Sequence, residues 1–255
     1  RLPTVAAWWR IIVIKTESYL RQIRKHYPDL PIDTATLNQD GQYNDIVVVN
    51  DALIFRFAKV TESVETLRKE IHILRSLQGQ VSLAVPNPTY NNAETNIIGE
   101  AFIGYPMIPG RPLLFHDFEA ITNVKARERI ANQLSRFLYE LHHIFAHSLV
   151  PIELPFCDTQ DEWKNMYERI QAQLFRYMRP DACQQVAKQL EDYIGNADLY
   201  KFEPAFRHGD FGAENILYDP DGQSVVGILD FGGAGLGDPA VDFAGLFASY
   251  GEEFY

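Results

Sequence analysis

The chain is short of cysteine, of basic charge and of long apolar runs, and each shortage closes off a class of function. Cys157 and Cys183 are its only two cysteines in 255 residues, with no CxxC spacing and no histidine beside either. That excludes a disulfide scaffold or a zinc module as the organising element and fits a reducing, cytoplasmic setting. With 23 Lys and Arg against 34 Asp and Glu, the formal net charge is -11. Nucleic acid, which requires a basic face, is not an expected partner; the acidity suits solubility and equally a cationic ligand. The apolar stretch from Val5 to Ile14 is broken by Arg10 and too short to cross a bilayer, and no small-residue cleavage site follows it. No membrane role is expected. Residues 1–15 read as an amphipathic packing element or an extension of the fold, and the N-terminal Arg1 implies a natural start lost or processed. Internal repeats and low-complexity linkers are also lacking.

What is there is enough apolar residue, 46% of the chain, for a sizeable core. Residues 16–27 set Tyr19, Leu20, Ile23 and Tyr27 at helical spacing before Pro28 and Pro31. The stretch from Asp40 to Lys59 reads as strand, turn and strand about Asn50-Asp51. Residues 62–77 form an amphipathic helix, with Val64, Leu67, Ile71, Leu74 and Leu77 on one face and Gly79 at its end. Strands are expected over 85–91 and 97–108, before a break at Pro109-Gly110. Beyond residue 124 the pattern turns helical: 124–147, with Ile130, Leu134, Phe137, Leu138, Leu141 and Phe145 inward, then 160–178 and 182–196. A loop and strand pair follow at 205–231, and Pro239 opens a last helix expected to run to Tyr255. The class is α+β and bilobal: a small antiparallel-sheet lobe over 1–108 and a larger helical lobe over 109–255, with the hinge near 106–110.

The chemistry is concentrated in His208-Gly209-Asp210-Phe211-Gly212-Ala213-Glu214-Asn215, followed by Ile228-Leu229-Asp230-Phe231-Gly232. Phosphoryl transfer needs a base aimed at the acceptor hydroxyl and oxygen ligands for the magnesium that neutralises the phosphates. An aspartate with an asparagine five positions on supplies both from one loop. Protein kinases use the same parts in their H-R-D loop and D-F-G motif, and here Gly209 replaces the arginine. A third element, Gly237-Asp238-Pro239-Ala240-Val241-Asp242-Phe243, follows in order.

These three elements resemble the aminoglycoside phosphotransferase family, with its HGD-x4-N, ID-F and GDP-x-x-DF motifs, and the likeness extends back to about residue 16. The 2''-phosphotransferases are the members it is most similar to. The resemblance implies a protein-kinase-like fold, Asp210 as catalytic base, and Asn215 and Asp230 as ligands of Mg2+. It further implies His208 and Asp242 as supports of the loop, and ATP or GTP as donor to a hydroxyl of a small molecule, first of all an aminoglycoside. In Phe55-Arg56-Phe57-Ala58-Lys59 the strand alternation aligns Arg56 with the family's phosphate-contacting lysine, a departure, since a planar fork does not replace a point charge. Lys59 is the alternative cation, and Glu70 the matching ion-pair partner. Asp40-Gly41-Gln42-Tyr43-Asn44 takes the place of the phosphate-covering loop without a GxGxxG, leaving backbone N–H groups and Asn44 as contacts. Tyr105 and Ile108 border the base. Tyr105 falls at the gatekeeper position, where a large ring can favour GTP or simply pack its strand.

Only Gly233 to Leu236 separate the second and third motifs, so there is no activation segment to hold a peptide. Small acceptors remain: aminoglycosides, macrolides, choline, homoserine or sugars, with a catalytically inactive nucleotide-binding relative as the alternative. A polycationic acceptor calls for acids. Yet Ala244 to Tyr250 is nearly neutral before Glu252 and Glu253, while Asp161, Glu162, Glu191 and Asp192 sit on helices where solvation is the commoner role. Family members continue with further C-terminal helices, so acceptor-specifying residues are expected past Tyr255.

Overall fold

A computed structural model describes residues 5–144 and 154–252, with side chains from Ile14 onward. The strands Asn44–Val49 (β2) and Leu53–Ala58 (β3) pair across Asn50 and Asp51, whose φ values are 54° and 49°. Left-handed backbone at both central residues matches the twist of the strands, and Asn and Asp adopt it more readily than other side chains. Ala35–Asn38 (β1), Tyr90–Asn91 (β4) and Phe102–Pro106 (β5) complete a five-stranded antiparallel sheet in the order β1-β2-β3-β5-β4. The expected strand over 85–91 shrinks to two residues because Pro86 and Pro88 offer no N–H to a ladder. That over 97–108 begins only at Phe102, after a turn in which Ala101 N–H reaches Ile97 O and Gly99 takes φ 79°.

Strand alternation then sorts the faces. Val47, Val49, Phe55, Phe57 and Phe102 pack against Tyr19, Leu20 and Ile23 of Val5–His26 (α1). Ala58, Ile103 and Tyr105 face the buried row Val64, Leu67, Ile71 and Leu74 of Thr61–Leu77 (α2). Arg56 is therefore carried to the α2 side of the sheet. This second core continues unbroken into the C-terminal half through Ile130, Leu134, Phe137 and Leu141, and on to Phe211 and Phe231. Each such side chain contributes roughly 1.5–3 kcal/mol by burial.

The C-terminal half holds Arg111–Pro112 (β6), Phe115–Glu119 (α3), Val124–His142 (α4), Gln160–Gln173 (α5), Pro180–Gly195 (α6), Ala205–Arg207 (β7), Ile216–Asp219 (β8), Ser224–Ile228 (β9), Gly235–Gly237 (β10) and Ala240–Tyr250 (α7). β6-β8-β9 form a three-stranded sheet and β10-β7 a pair. Asn123 caps α4, its side chain accepting from the N–H of Lys125 and Ala126. α4 closes at His142 rather than 147, and Phe145 lies outside the described residues. α7 stops at Tyr250, followed by Gly251 at φ 78°, and so does not run on as expected. Among the described residues no helix is long and apolar enough to cross a membrane.

Candidate active site

His208 to Asn215 lie between β7 and β8, on a loop held from below by one carboxylate. Asp242, fully buried in the first turn of α7, accepts the N–H groups of His208 (2.9 Å) and Gly209 (2.8 Å) and the Nε2–H of His142 (2.9 Å). Burial alone would raise its pKa, but these three donors bring it below the ordinary carboxylate value. His208 is also fully buried. Its Nδ1 accepts the Asp210 N–H (3.2 Å) and its Nε2 donates to Leu229 O (2.8 Å), an arrangement that requires the neutral ring. Burial holds its pKa down, against the pull of Asp242. The ring also meets Phe231 edge-on at 4.6 Å.

Gly209 takes φ 83°, and a Cβ there would run into the Arg207 side chain and the Gly233 carbonyl. Left-handed strain alone costs an L-residue about 1–2 kcal/mol. Gly209→Ala is therefore expected to lower the urea midpoint by more than that strain alone, with an unchanged denaturant slope in equilibrium unfolding.

Above this base, Asn215 Nδ2 donates to the backbone O (2.8 Å) and the Oδ2 (3.0 Å) of Asp210. Asp230 sits just past β9 at φ 62°, and its Oδ1 accepts from Gly232 N–H (3.4 Å) and Arg56 Nη2 (3.3 Å). The other arm of Arg56, Nη1, reaches Glu70 Oε1 at 2.6 Å, and the Glu70 side chain has no exposure. Burial would lower the Arg56 pKa, but Glu70, Tyr105 and Asp230 carry it upward. Burial pushes the Glu70 pKa up, with the Arg56 guanidinium pulling against it. Tyr105 lies on the same face, buried, its hydroxyl pushed up to about 12 by burial.

Arg56, Asp210 and Asp230 thus line one cleft of about 440 Å³, with Tyr43 just before β2 and Asn44 at its start. Glu62, Ser63 and Thr66 on the first turns of α2 line it too, which the sequence pattern did not signal. Lys59 is placed elsewhere, its Nζ donating to Gln39 O (2.8 Å) and Gly41 O (2.6 Å) and pairing with Asp45 (3.1 Å). Ile108 is half-buried against β9, where a Cβ on Gly227 would come within 2.9 Å of its Cγ2. The helix acids have local partners: Glu162 caps α5, Asp161 pairs with Lys164, Glu191 takes the Tyr167 hydroxyl and Asp192 pairs with Lys188. A further pair, Arg207 with Asp158 at 2.6 and 2.9 Å, braces β7 against the segment before α5.

The model of the phosphotransferase enzyme family matches residues 34–254, from the sheet through the loop, Asp230 and α7. The chain belongs to this family. Viomycin phosphotransferase of Streptomyces vinaceus is 27% identical to this phosphotransferase over 217 residues, 84% of this chain and 73% of that protein. Acyl-CoA dehydrogenase family member 11 of Rattus norvegicus is 27% identical over 252 residues, 92% of this chain but 30% of that protein. Among solved structures, the GDP and kanamycin complex of APH(2")-IIia is similar with a TM-score of 0.83 at 26% identity, over 92% of this chain and 79% of that one. The protein-kinase-like α+β fold expected of this phosphotransferase is the fold observed.

Proposed function

We propose that the chain transfers the γ-phosphate of ATP or GTP to a hydroxyl of an aminoglycoside. The nucleotide would bind to the lobe over 1–108 and the acceptor to the lobe over 109–255. The observation that carries the reading is the convergence of Asp210, Asp230 and Arg56 on a single cleft, with Glu70 buried behind Arg56 and paired to it. Asp210 is the base. Asn215 holds its Oδ2, so Oδ1 is the oxygen left to take the acceptor proton as the acceptor oxygen bonds to phosphorus and the bond to the leaving nucleotide breaks. Arg56, held by Glu70 through Nη1 and by Asp230 through Nη2, would bring a guanidinium to the phosphates at the position where the resemblance calls for a lysine.

The donor set fits a hard cation. Asn215 uses its amide N–H₂ on Asp210, leaving its carbonyl oxygen, and Asp230 engages the protein through Oδ1 alone, with its side chain 48% exposed. Among the described residues no three His, Cys, Asp or Glu side chains gather as a metal site, so phosphate oxygens and water would complete the shell. Bound by Asn215 and Asp230, Mg2+ would neutralise charge on the transferring phosphoryl group.

The aminoglycoside assignment is supported by the likeness to the kanamycin complex. A second reading, a hydroxylated acceptor that is not an antibiotic, is favoured by the match to a stretch of acyl-CoA dehydrogenase family member 11 and by an α7 whose one acid, Asp242, is buried. An assay coupled to nucleoside diphosphate release, crossing ATP and GTP with aminoglycosides, macrolides, choline, homoserine and sugars in Mg2+, separates the two. Turnover on kanamycin is the expected outcome; turnover confined to choline, homoserine or sugars would select the second reading, and nucleotide binding without any turnover an inactive relative.

A further inference from the structure

We infer that Lys59 is a positioning residue that sets the loop covering the cleft, acting through the buried carboxylate of Asp45; the inference rests on the nucleotide reading proposed above. An ammonium has three N–H donors. Two of those of Lys59 are taken by Gln39 O and Gly41 O, its charge pairs with Asp45 Oδ1 at 3.1 Å, and its backbone N–H donates to Tyr43 O at 2.9 Å. One residue thus holds the loop between β1 and β2 at its start, its middle and its end.

Asp45 anchors that grip to the body of the N-terminal lobe. It has no exposure, and its Oδ2 accepts from the Tyr19 hydroxyl (2.5 Å) and pairs with Lys15 Nζ (2.6 Å), both on α1. The Tyr19 ring is in turn stacked on Phe57 with centroids 4.2 Å apart. Burial would raise the Asp45 pKa, but Lys15, Tyr19 and Lys59 bring it below the ordinary value, so the anchor is a carboxylate.

The consequence for a nucleotide follows from peptide planarity. A trans peptide points its C=O and N–H in opposite directions. With Gly41 O turned to Lys59, the Gln42 N–H is turned away from it, and the chain passes directly on to Tyr43 and Asn44, which line the cleft. A loop with one glycine has no stretch of small residues to wrap phosphates, so the direction of its amides has to be imposed from outside. The ammonium of Lys59 imposes it.

The test compares Lys59→Met with Lys15→Met, both of which remove a cation from Asp45, although only the first releases the loop carbonyls. Titration with a fluorescent ATP or GTP analogue should show about tenfold weaker binding for Lys59→Met, with nucleotide KM raised in step and kcat within about twofold. Lys15→Met should bind as the parent does. Hydrogen exchange on the nucleotide-free proteins should quicken at residues 40–44 in Lys59→Met and not in Lys15→Met. Equal affinity in Lys59→Met and the parent, or an equal loss in both variants, overturns the inference. A parent protein that binds neither nucleotide would instead sink the reading of the cleft, and the exchange comparison would still decide whether Lys59 holds the loop.

Discussion

Asp210→Asn should lower turnover by about 10²–10⁴-fold while leaving nucleotide affinity within about threefold, as loss of a general base does. The change removes the proton acceptor and little else. Asparagine keeps the size of the side chain, and the Asn215 hydrogen bond to the backbone O of Asp210, 2.8 Å long, does not depend on the carboxylate. The Asp210 N–H still has His208 Nδ1 as its acceptor. Arg56, Glu70 and Asp230 are held by contacts that do not include Asp210. Steady-state kinetics with a nucleotide titration checks both halves, and near-parental kcat in a folded variant would remove Asp210 from the role of base.

Asp242→Ala should cost about 3–5 kcal/mol of stability, because it leaves buried donors without their charged acceptor. The donors are the N–H groups of His208 and Gly209 and the Nε2–H of His142. Against the roughly 5–15 kcal/mol typical of a domain, that is between about a fifth and the whole of the total. Urea unfolding measures it. The pH dependence has a definite sign: the Asp242 pKa is lowered in the folded protein, so its contribution is complete above the unfolded value near pH 4 and is lost as pH falls through the lower folded one. The stability gap between the parent and Asp242→Asn should therefore be flat at neutral pH and narrow in strong acid. His208, buried neutral with a lowered pKa, adds a separate loss beginning below about pH 6.5, as the unfolded chain gains a proton that the folded ring resists.

The parts of this site that the sequence made legible are those set by short-range rules. Asp210 and Asn215 are five residues apart on one loop, and their hydrogen bond follows from that spacing. Arg56 meets Glu70 because strand alternation turns it toward the next helix, whose apolar row fixes which way Glu70 faces. The Asn50-Asp51 turn was readable because few residue pairs accept left-handed backbone twice. Long-range contacts were not readable. His142 and Asp242 are 100 positions apart, and Arg207 and Asp158 49 apart, with no local pattern to join them. Lys59 was placed with the phosphates as an alternative to Arg56, yet its side chain turns to the carbonyls of a loop 18 and 20 positions earlier. The strands β6 and β10, of two and three residues, are too short for periodicity to register, and each is defined only by its partner.

The central claim is tested most directly by following a radiolabelled γ-phosphate. ATP and GTP so labelled would be incubated separately with kanamycin, Mg2+ and either the parent protein or Asp210→Asn, and the products separated by chromatography. The account requires label on kanamycin with the parent and almost none with Asp210→Asn, at equal nucleotide binding. Label on kanamycin at the same rate from both proteins would contradict it.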